Sequence, residues 1–239
     1  MVKLATLCDQ YDCIDLVRPW FHTWFWVEAS EATKDGQEKW LFIAWVFGRE
    51  SALNALALKL VKELSLDEEG KADFKIKDIG SLPVPQSLIG KSFKFPQKSK
   101  ECRPDDLTSL ENILKIRIVT IGRLLQLPYT CIGRYEMNKA KSCKKSNSRE
   151  SCDAMSYGCI LKSVENADLW PRLKAQDVRT SVSKLASTIN GFQNLFISGH
   201  DICLGIPDMK ISAANILLGI GSPLLASHRQ ILKVRNQQT

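Results

Sequence analysis

The sequence predicts a mainly α-helical protein, and three observations support that prediction. Apolar residues recur every three or four positions in several stretches, as expected for helices that bury one face. Strand-like alternation is limited to short segments such as 74–76. The chain has 239 residues, 44% of them hydrophobic and 25% charged, which is enough to bury a sizeable core.

The first predicted helix carries Leu4, Leu7 and Tyr11 on one face, because they fall at positions i, i+3 and i+7. The stretch 15–26 that follows, DLVRPWFHTWFW, contains three tryptophans and two phenylalanines at helical spacing. Its two adjacent apolar stripes cover more than half of the helix circumference, so we expect most of the stretch to be core. On that expectation Trp20→Ala costs about 3–5 kcal/mol, as large-to-small changes in a core do.

The next apolar segment, 40–47, is hydrophobic on all sides, so its pattern fits a buried strand or a buried helix. The apolar residues of 53–64 then mark an amphipathic helix. The composition changes at 66–106, where proline, glycine and lysine are frequent and little apolar surface can be buried. We expect this segment to be an irregular, mobile insertion.

The second half of the chain contains the pattern of four more helices. The first begins at 107 and is expected to end before Pro128, because proline removes a backbone donor and clashes with the preceding turn. The next two lie at 152–169 and at 178–192. The last is expected to open at Ser222-Pro223, since serine is a good N-cap and proline fits the first helical position.

The N-terminal segment LATLCDQYDCIDLVRPW (4–20) resembles the closing helices of a BTB/POZ domain, in the form found in fungal proteins. In that family a helix ending Leu-Ala-x-Leu-Ala-Asp-x-Tyr-Asp precedes a short last helix. Cys8 stands where the family has alanine, and the matching residues are Leu4, Ala5, Leu7, Asp9, Tyr11 and Asp12. Further segments are similar to the helical region that follows the domain: EKWLFIAWVFGRE (38–50), ENILKIRI (111–118), CDAMSYGCILKS (152–163), LWPR (169–172) and SPLLASHR (222–229).

The resemblance implies a domain organisation and a function. Residues 1–28 would be remnant C-terminal helices of a BTB/POZ fold, and 29–239 a helical post-BTB (BACK-like) domain with the insertion 66–106 and a basic linker at 138–150. The function implied is that of a non-enzymatic adaptor or scaffold that binds other proteins. The BTB β-sheet does not occur in this sequence, so we expect an N-terminally truncated form. A cullin-type ubiquitin ligase scaffold is expected as a partner of a full-length form only.

A candidate partner-binding surface follows from the same resemblance. In a complete BTB domain, part of the face made by Leu4, Leu7 and Tyr11 would pack against elements that this sequence lacks. We therefore expect these side chains to stay partly exposed, together with Trp26, which lies on the polar side of its helix. Exposed apolar and aromatic side chains of this kind mark protein-binding surfaces.

Cysteine and histidine define a candidate metal site. Cys143 and Cys152 flank a linker, and Cys152 begins a predicted helix, whose dipole favours a thiolate. His200 and Cys203 form a compact His-x-x-Cys pair. Three sulfurs and one imidazole are a known ligand set for structural zinc, so we predict a zinc site if the two pairs converge. Cys159 is excluded, because it lies about 10 Å along the same helix from Cys152.

A disulfide between Cys143 and Cys152 is the alternative interpretation of that pair. The sequence disfavours it, because eight cysteines without a secretory signal are typical of a reducing compartment. On the same ground we expect the protein in the cytoplasm, the nucleus or both. The longest apolar run, 40–47, has eight residues, whereas a membrane span needs about 20. We therefore expect no membrane partner.

The motifs of common enzyme classes are missing from the sequence. It contains no phosphate-binding loop, Gly-x-Ser-x-Gly or His-Glu-x-x-His, and Gly219-Ile-Gly221 lacks the third glycine of a dinucleotide site. We predict no enzymatic activity. The net charge of +7 and the basic linker 138–150 leave a nucleic-acid-associated protein as the alternative function. The linker has no interleaved aromatic residues, which favours a solvated tether over a nucleic-acid site.

Overall fold

The computed structural model describes residues 1–17, 19–20, 23, 39–68, 72–73, 108–137, 143, 149–193, 195, 198–200, 203 and 205–237. These residues are mainly helical, as the sequence predicts. They belong to two compact units, one formed by 1–116 with 221–239 and the other by 117–220. Among the described helices, none is both long and apolar enough to cross a membrane.

The first unit contains the helices of both chain ends. Helices that follow one another in the chain pack together: α1 (Val2–Tyr11) against α2 (Lys39–Val46), and α2 against α3 (Glu50–Glu63). Helix α3 also contacts the last helix, α8 (Ala226–Gln237). After α3, β1 and β2 pair as a short antiparallel ladder. The elements are α1 (Val2–Tyr11), α2 (Lys39–Val46), α3 (Glu50–Glu63), β1 (Ser65–Leu66), β2 (Ala72–Asp73), the start of α4 (Thr108–Glu136) and α8 (Ala226–Gln237).

Helix α2 resolves the ambiguity of the apolar segment at 40–47. Its residues from Trp40 to Val46 are all buried, which explains why the sequence has no polar face there. Because α1 packs against α2, residues 1–11 belong to the same compact unit as 39–63. The boundary predicted after residue 28 lies outside the described residues and stays a prediction. The BTB/POZ origin of residues 1–28 stays a prediction.

The second unit is built around one apolar core. Besides α4 it contains α5 (Arg149–Asn166), a 3₁₀ turn (Ala175–Asp177), α6 (Val182–Asn190) and α7 (Gly205–Leu218), and α6 packs against α7. Ser181 caps α6, accepting the Lys184 N–H at 3.2 Å. The core side chains include Ile121, Leu124, Ile132, Ile160, Val164, Leu185, Ile189, Met209 and Ala213.

The predicted end of the long helix before Pro128 is wrong. Helix α4 continues through Pro128 to Glu136. Leu124 and Ile132 lie on either side of the proline, and both are fully buried in the same core. Their burial offsets the roughly 3 kcal/mol that a proline costs inside a helix.

The predicted start of the last helix at Ser222-Pro223 is also wrong, because α8 begins at Ala226. The Ser222 hydroxyl instead donates to Asn54 Oδ1 at 2.6 Å and accepts the Leu224 N–H at 3.2 Å. The first turn of α8 is capped from within the helix. Leu225 N–H donates to His228 Nδ1 at 3.2 Å, the geometry in which a side chain of the first turn reaches back to the N-cap.

The prediction that most of 15–26 is core is wrong for two described residues. Leu16 is 72% exposed and Trp20 55% exposed, whereas Ile14 just before the stretch is buried. At helical spacing, Leu16 and Trp20 point away from Ile14, and a helix buries one face only. The 3–5 kcal/mol expected for Trp20→Ala therefore does not follow. Phe21, Trp24 and Trp26 lie outside the described residues, as do most of 66–106 and of 138–150.

Candidate metal centre

The four predicted ligands come from three segments of the 117–220 unit. Cys152 lies in the first turn of α5, and Cys143 lies upstream of that helix. His200 and Cys203 both belong to the connection between α6 and α7. The structure brings all four side chains into one buried cluster.

The ligand atoms are close enough to share one ion. Each residue offers one atom, and the four atoms lie within 4.8 Å of one another. Cys143 Sγ is 3.7 Å from Cys203 Sγ and 3.2 Å from His200 Nδ1, and Cys203 Sγ is 3.9 Å from the same nitrogen. A tetrahedral zinc centre with Zn–S bonds of about 2.3 Å places two sulfurs about 3.8 Å apart. The three separations given above are close to that spacing, whereas the limit of 4.8 Å for all four atoms is about 1 Å wider, so binding one tetrahedral ion would draw the ligands together.

Local hydrogen bonds hold the backbone at the ligands. The Cys203 N–H donates to the His200 carbonyl at 2.9 Å, so a backbone hydrogen bond joins these two ligands directly. Gly199, next to His200, has a φ of 80°, a left-handed conformation that favours glycine. The Cys143 N–H donates to Asp153 Oδ1 at 3.0 Å, so the helix that carries Cys152 also anchors Cys143.

Burial determines the electrostatics of the cluster. Cys143, Cys152 and His200 are each 2% exposed, and Cys203 is 7% exposed. Burial, followed by the neighbouring thiols of Cys143 and Cys203, raises the pKa of the Cys152 thiol to about 12. A bound cation reverses this balance, because its charge stabilises thiolates that the apolar surroundings disfavour.

Other cysteines provide an internal contrast. Cys8 is buried next to Cys13 in the first unit, and burial followed by Cys13 raises the pKa of the Cys8 thiol to about 11. That pair has two sulfurs only, and no histidine or carboxylate completes a ligand set among the described residues. No disulfide links any of the described cysteines, so the alternative disulfide between Cys143 and Cys152 is not formed.

The candidate partner surface on α1 is partly open. Leu7 is 49% and Tyr11 73% exposed, and Leu4 is half-buried. Trp26 lies outside the described residues. A binding role for these side chains stays a prediction.

Sequence reasoning missed two polar side chains that organise the second unit. One is Asp153, described above. The other is Arg117, which is fully buried and donates from Nη2 to the carbonyls of Val178 at 2.9 Å and Thr180 at 2.8 Å. Burial lowers the pKa of the Arg117 guanidinium to about 10. The sequence does contain a sign of this burial. Arg117 lies four residues from both Ile113 and Ile121, which are buried on one apolar stripe of the helix, so its side chain falls on the same stripe.

Fold and site together define a helical protein with a buried three-cysteine, one-histidine cluster suited to a metal ion. No protein-family model, no curated protein and no solved structure matches this chain. The likeness to BTB/POZ proteins therefore stays a prediction from short segments.

Proposed function

We propose that this chain is a non-enzymatic protein-interaction module whose 117–220 unit is fastened by a structural Zn²⁺ ion. The ligands are Cys143, Cys152, His200 and Cys203. The observation that carries the zinc proposal is the convergence of their four ligand atoms within 4.8 Å in a buried cluster. Sulfur-rich tetrahedral sets select zinc over magnesium or calcium, which prefer oxygen ligands.

The completeness of the ligand set supports a structural rather than a catalytic ion. Three sulfurs and one imidazole nitrogen fill the four positions of a tetrahedral ion. Catalytic zinc sites keep a position open for water or substrate. All four residues are at least nine-tenths buried, so water has little access to the ion.

A zinc ion has a clear structural task at this place. Cys143 and His200 lie outside the helices that the structure describes. Binding couples both to the start of α5, and the free energy of metal binding thereby contributes to folding.

The interaction role is supported by the exposed apolar residues near the N-terminus. Tyr11, Leu16 and Trp20 are each more than half exposed, and Leu7 is 49% exposed. Groups of large exposed aromatic and aliphatic side chains mark contact surfaces, whereas single exposed apolar side chains are common on any protein. The alternative, a nucleic-acid-associated protein, rests on the net charge of +7.

Metal content tests the zinc proposal. Native mass spectrometry of protein purified without added metal should give one zinc per chain, and Cys152→Ser should lose it. Cys159→Ser is the matched control, because Cys159 lies on the same helix α5 outside the ligand cluster. Zinc-free wild-type protein, or loss of zinc in both variants, contradicts the proposal.

Binding measurements at several salt concentrations test the interaction role against the alternative. A protein partner that docks on the exposed apolar side chains should be lost in Leu7→Asp/Tyr11→Asp and should bind with little salt dependence. Binding to duplex DNA that falls steeply with salt, and that this variant leaves unchanged, favours the nucleic-acid alternative.

A further inference from the structure

A groove of about 450 Å³ lies between α4 and α7 in the second unit, apart from the metal cluster. Its apolar lining includes Leu127 from α4 and Met209 and Ile216 from α7. Met209 is buried, and the other two are half-buried. The half-buried Leu127 and Ile216 therefore supply the accessible apolar surface of the groove, and Met209 is part of its buried lining.

Two arginines mark the ends of the groove along α4. Arg123 and Arg134 both line it, and both are exposed. They are eleven residues apart, which is close to three helical turns, so they share one face about 16 Å apart. Leu127 lies between them on that face.

The charges of the groove are not balanced from within. Asp208 is the one carboxylate among the described residues that line it. In the described part of the chain, neither Arg123 nor Arg134 forms an ion pair, with Asp208 or with any other acid. With two arginines and one aspartate, the groove carries a net positive charge, and α4 fixes the backbone positions of the two arginines on either side of its apolar lining.

We infer that this groove docks an acidic amphipathic helix from a protein partner. On a helix, carboxylates at positions i and i+11 share one face and repeat the spacing of about 16 Å, so they can pair with Arg123 and Arg134 together. Apolar side chains between them would lie against Leu127 and Ile216, the helix-in-groove mode of recognition. The net charge of +7 favours encounter with an acidic partner. This inference rests on the proposed interaction function and names a second surface for it.

The probe is a fluorescently labelled, helix-forming peptide with two glutamates eleven residues apart and leucines between them. A second peptide carries lysines in place of the two glutamates. Fluorescence anisotropy with the full chain should show that the acidic peptide binds the wild type at least tenfold more tightly than the lysine peptide does. Arg123→Glu/Arg134→Glu should reverse that preference, a result that loss of folding cannot produce.

Lys162→Glu/Lys174→Glu is the matched control. Both lysines are exposed in the same unit and do not line the groove, and the net charge changes by the same amount. This variant should keep the wild-type preference. Equal loss in the two double variants overturns the inference, because overall charge would then explain binding. Equal binding of the two peptides to the wild type also overturns it, and so does displacement of the acidic peptide by duplex DNA of the same total charge.

The two proposals can fail separately. If a protein partner depends on Leu7 and Tyr11 but binds Arg123→Glu/Arg134→Glu unchanged, and the acidic peptide shows no preference, the groove is not a docking site and the interaction function stands. If neither the peptide nor any protein partner binds the wild type, both proposals are overturned.

Discussion

The two compact units use histidine in different ways. In the 117–220 unit, His200 Nδ1 faces the sulfurs of Cys143 and Cys203. In the other unit, His228 packs edge-on against Trp45 with ring centroids 6.0 Å apart, and its Nδ1 accepts a backbone N–H. The same residue type is a candidate ligand in one unit and a packed helix cap in the other, so the position of the ligand atoms defines a metal site.

The units also differ in how their connections are held. In the first unit, Arg235 donates from Nη2 to Asp9 Oδ1 at 3.2 Å and from Nη1 to the Trp45 carbonyl at 3.4 Å, and its guanidinium lies 5.3 Å from the Trp45 ring. Side-chain hydrogen bonds thus tie α8 to α1 and α2. In the second unit, the ligand cluster brings Cys143, His200 and Cys203 next to Cys152 in the first turn of α5. Metal should therefore matter to one unit and not to the other.

Metal removal should give the largest difference between the units. Chelation should lower the free energy of unfolding of 117–220 by about 4 kcal/mol, if the free zinc concentration before chelation is about 1,000 times the Kd. Hydrogen exchange should show loss of protection in α5, α6 and α7 while α2 and α3 stay protected. A uniform loss across both units would contradict a local structural role.

Gly48→Ala should produce the converse effect in the first unit. Gly48 has a φ of +63°, and an added Cβ would lie 2.6 Å from Asn236 N and 2.9 Å from the Leu232 carbonyl oxygen of α8. We expect a cost of at least about 2 kcal/mol with zinc content unchanged. Gly158→Ala is the control, since a Cβ there meets no atom within 4 Å and should stabilise α5 by about 0.5–1 kcal/mol. Unfolding in denaturant measures both changes in stability. An unchanged free energy of unfolding in Gly48→Ala would contradict the close approach of α8 to Gly48.

Asp153 should tune the metal site without being a ligand. Asp153→Ala removes the acceptor of the Cys143 N–H, so zinc affinity should fall by about 10- to 100-fold. Asp153→Asn keeps an oxygen acceptor and should retain most of the affinity. Competition with a chromophoric chelator measures both variants, and equal loss in the two would argue that the carboxylate charge matters rather than the hydrogen bond.

His228 should give the smallest effect, as a pH dependence of the first unit. Burial lowers the pKa of the His228 imidazole below its usual 6.5, and the neutral ring accepts the Leu225 N–H. The unfolded chain binds the proton first, so this contribution to stability is complete above pH 6.5 and is lost as the pH falls through the folded pKa. Below pH 6.5, the free energy of unfolding of the wild type should therefore fall more steeply with decreasing pH than that of His228→Gln. The two slopes should differ by up to about 1.4 kcal/mol per pH unit. Identical slopes would remove His228 as the source.

Much of the helical fold was predictable because helix periodicity is local. Packing decided the exceptions: Pro128 sits inside α4 since the core continues beyond it, and Trp20 is exposed although its neighbours are apolar. Helix α7 was not predicted, although Met209 and Ala213 are spaced for one buried face. Pro207 and the nearby Gly199 and Gly205 make the segment resemble a loop in the sequence. Proline is nevertheless tolerated in the first turn of a helix, which is where Pro207 lies.

The candidate site was predictable in its residue types but not in its geometry. Sulfur and imidazole preferences identify the ligands, because few combinations of residues bind zinc. The two pairs are separated by most of α5 and by α6, and only tertiary packing brings Cys152 next to Cys203. Asp153 escaped prediction because its role depends on a backbone N–H ten residues away.

X-ray absorption at the zinc edge tests the central claim most directly. For the wild-type protein as purified, we predict a first shell of three sulfurs at about 2.3 Å and one nitrogen at about 2.0–2.1 Å. Cys159→Ser should give the same shell, and Cys152→Ser should lose a sulfur or lose the zinc. A wild-type shell of oxygen and nitrogen alone, or protein that contains no zinc, would contradict the account.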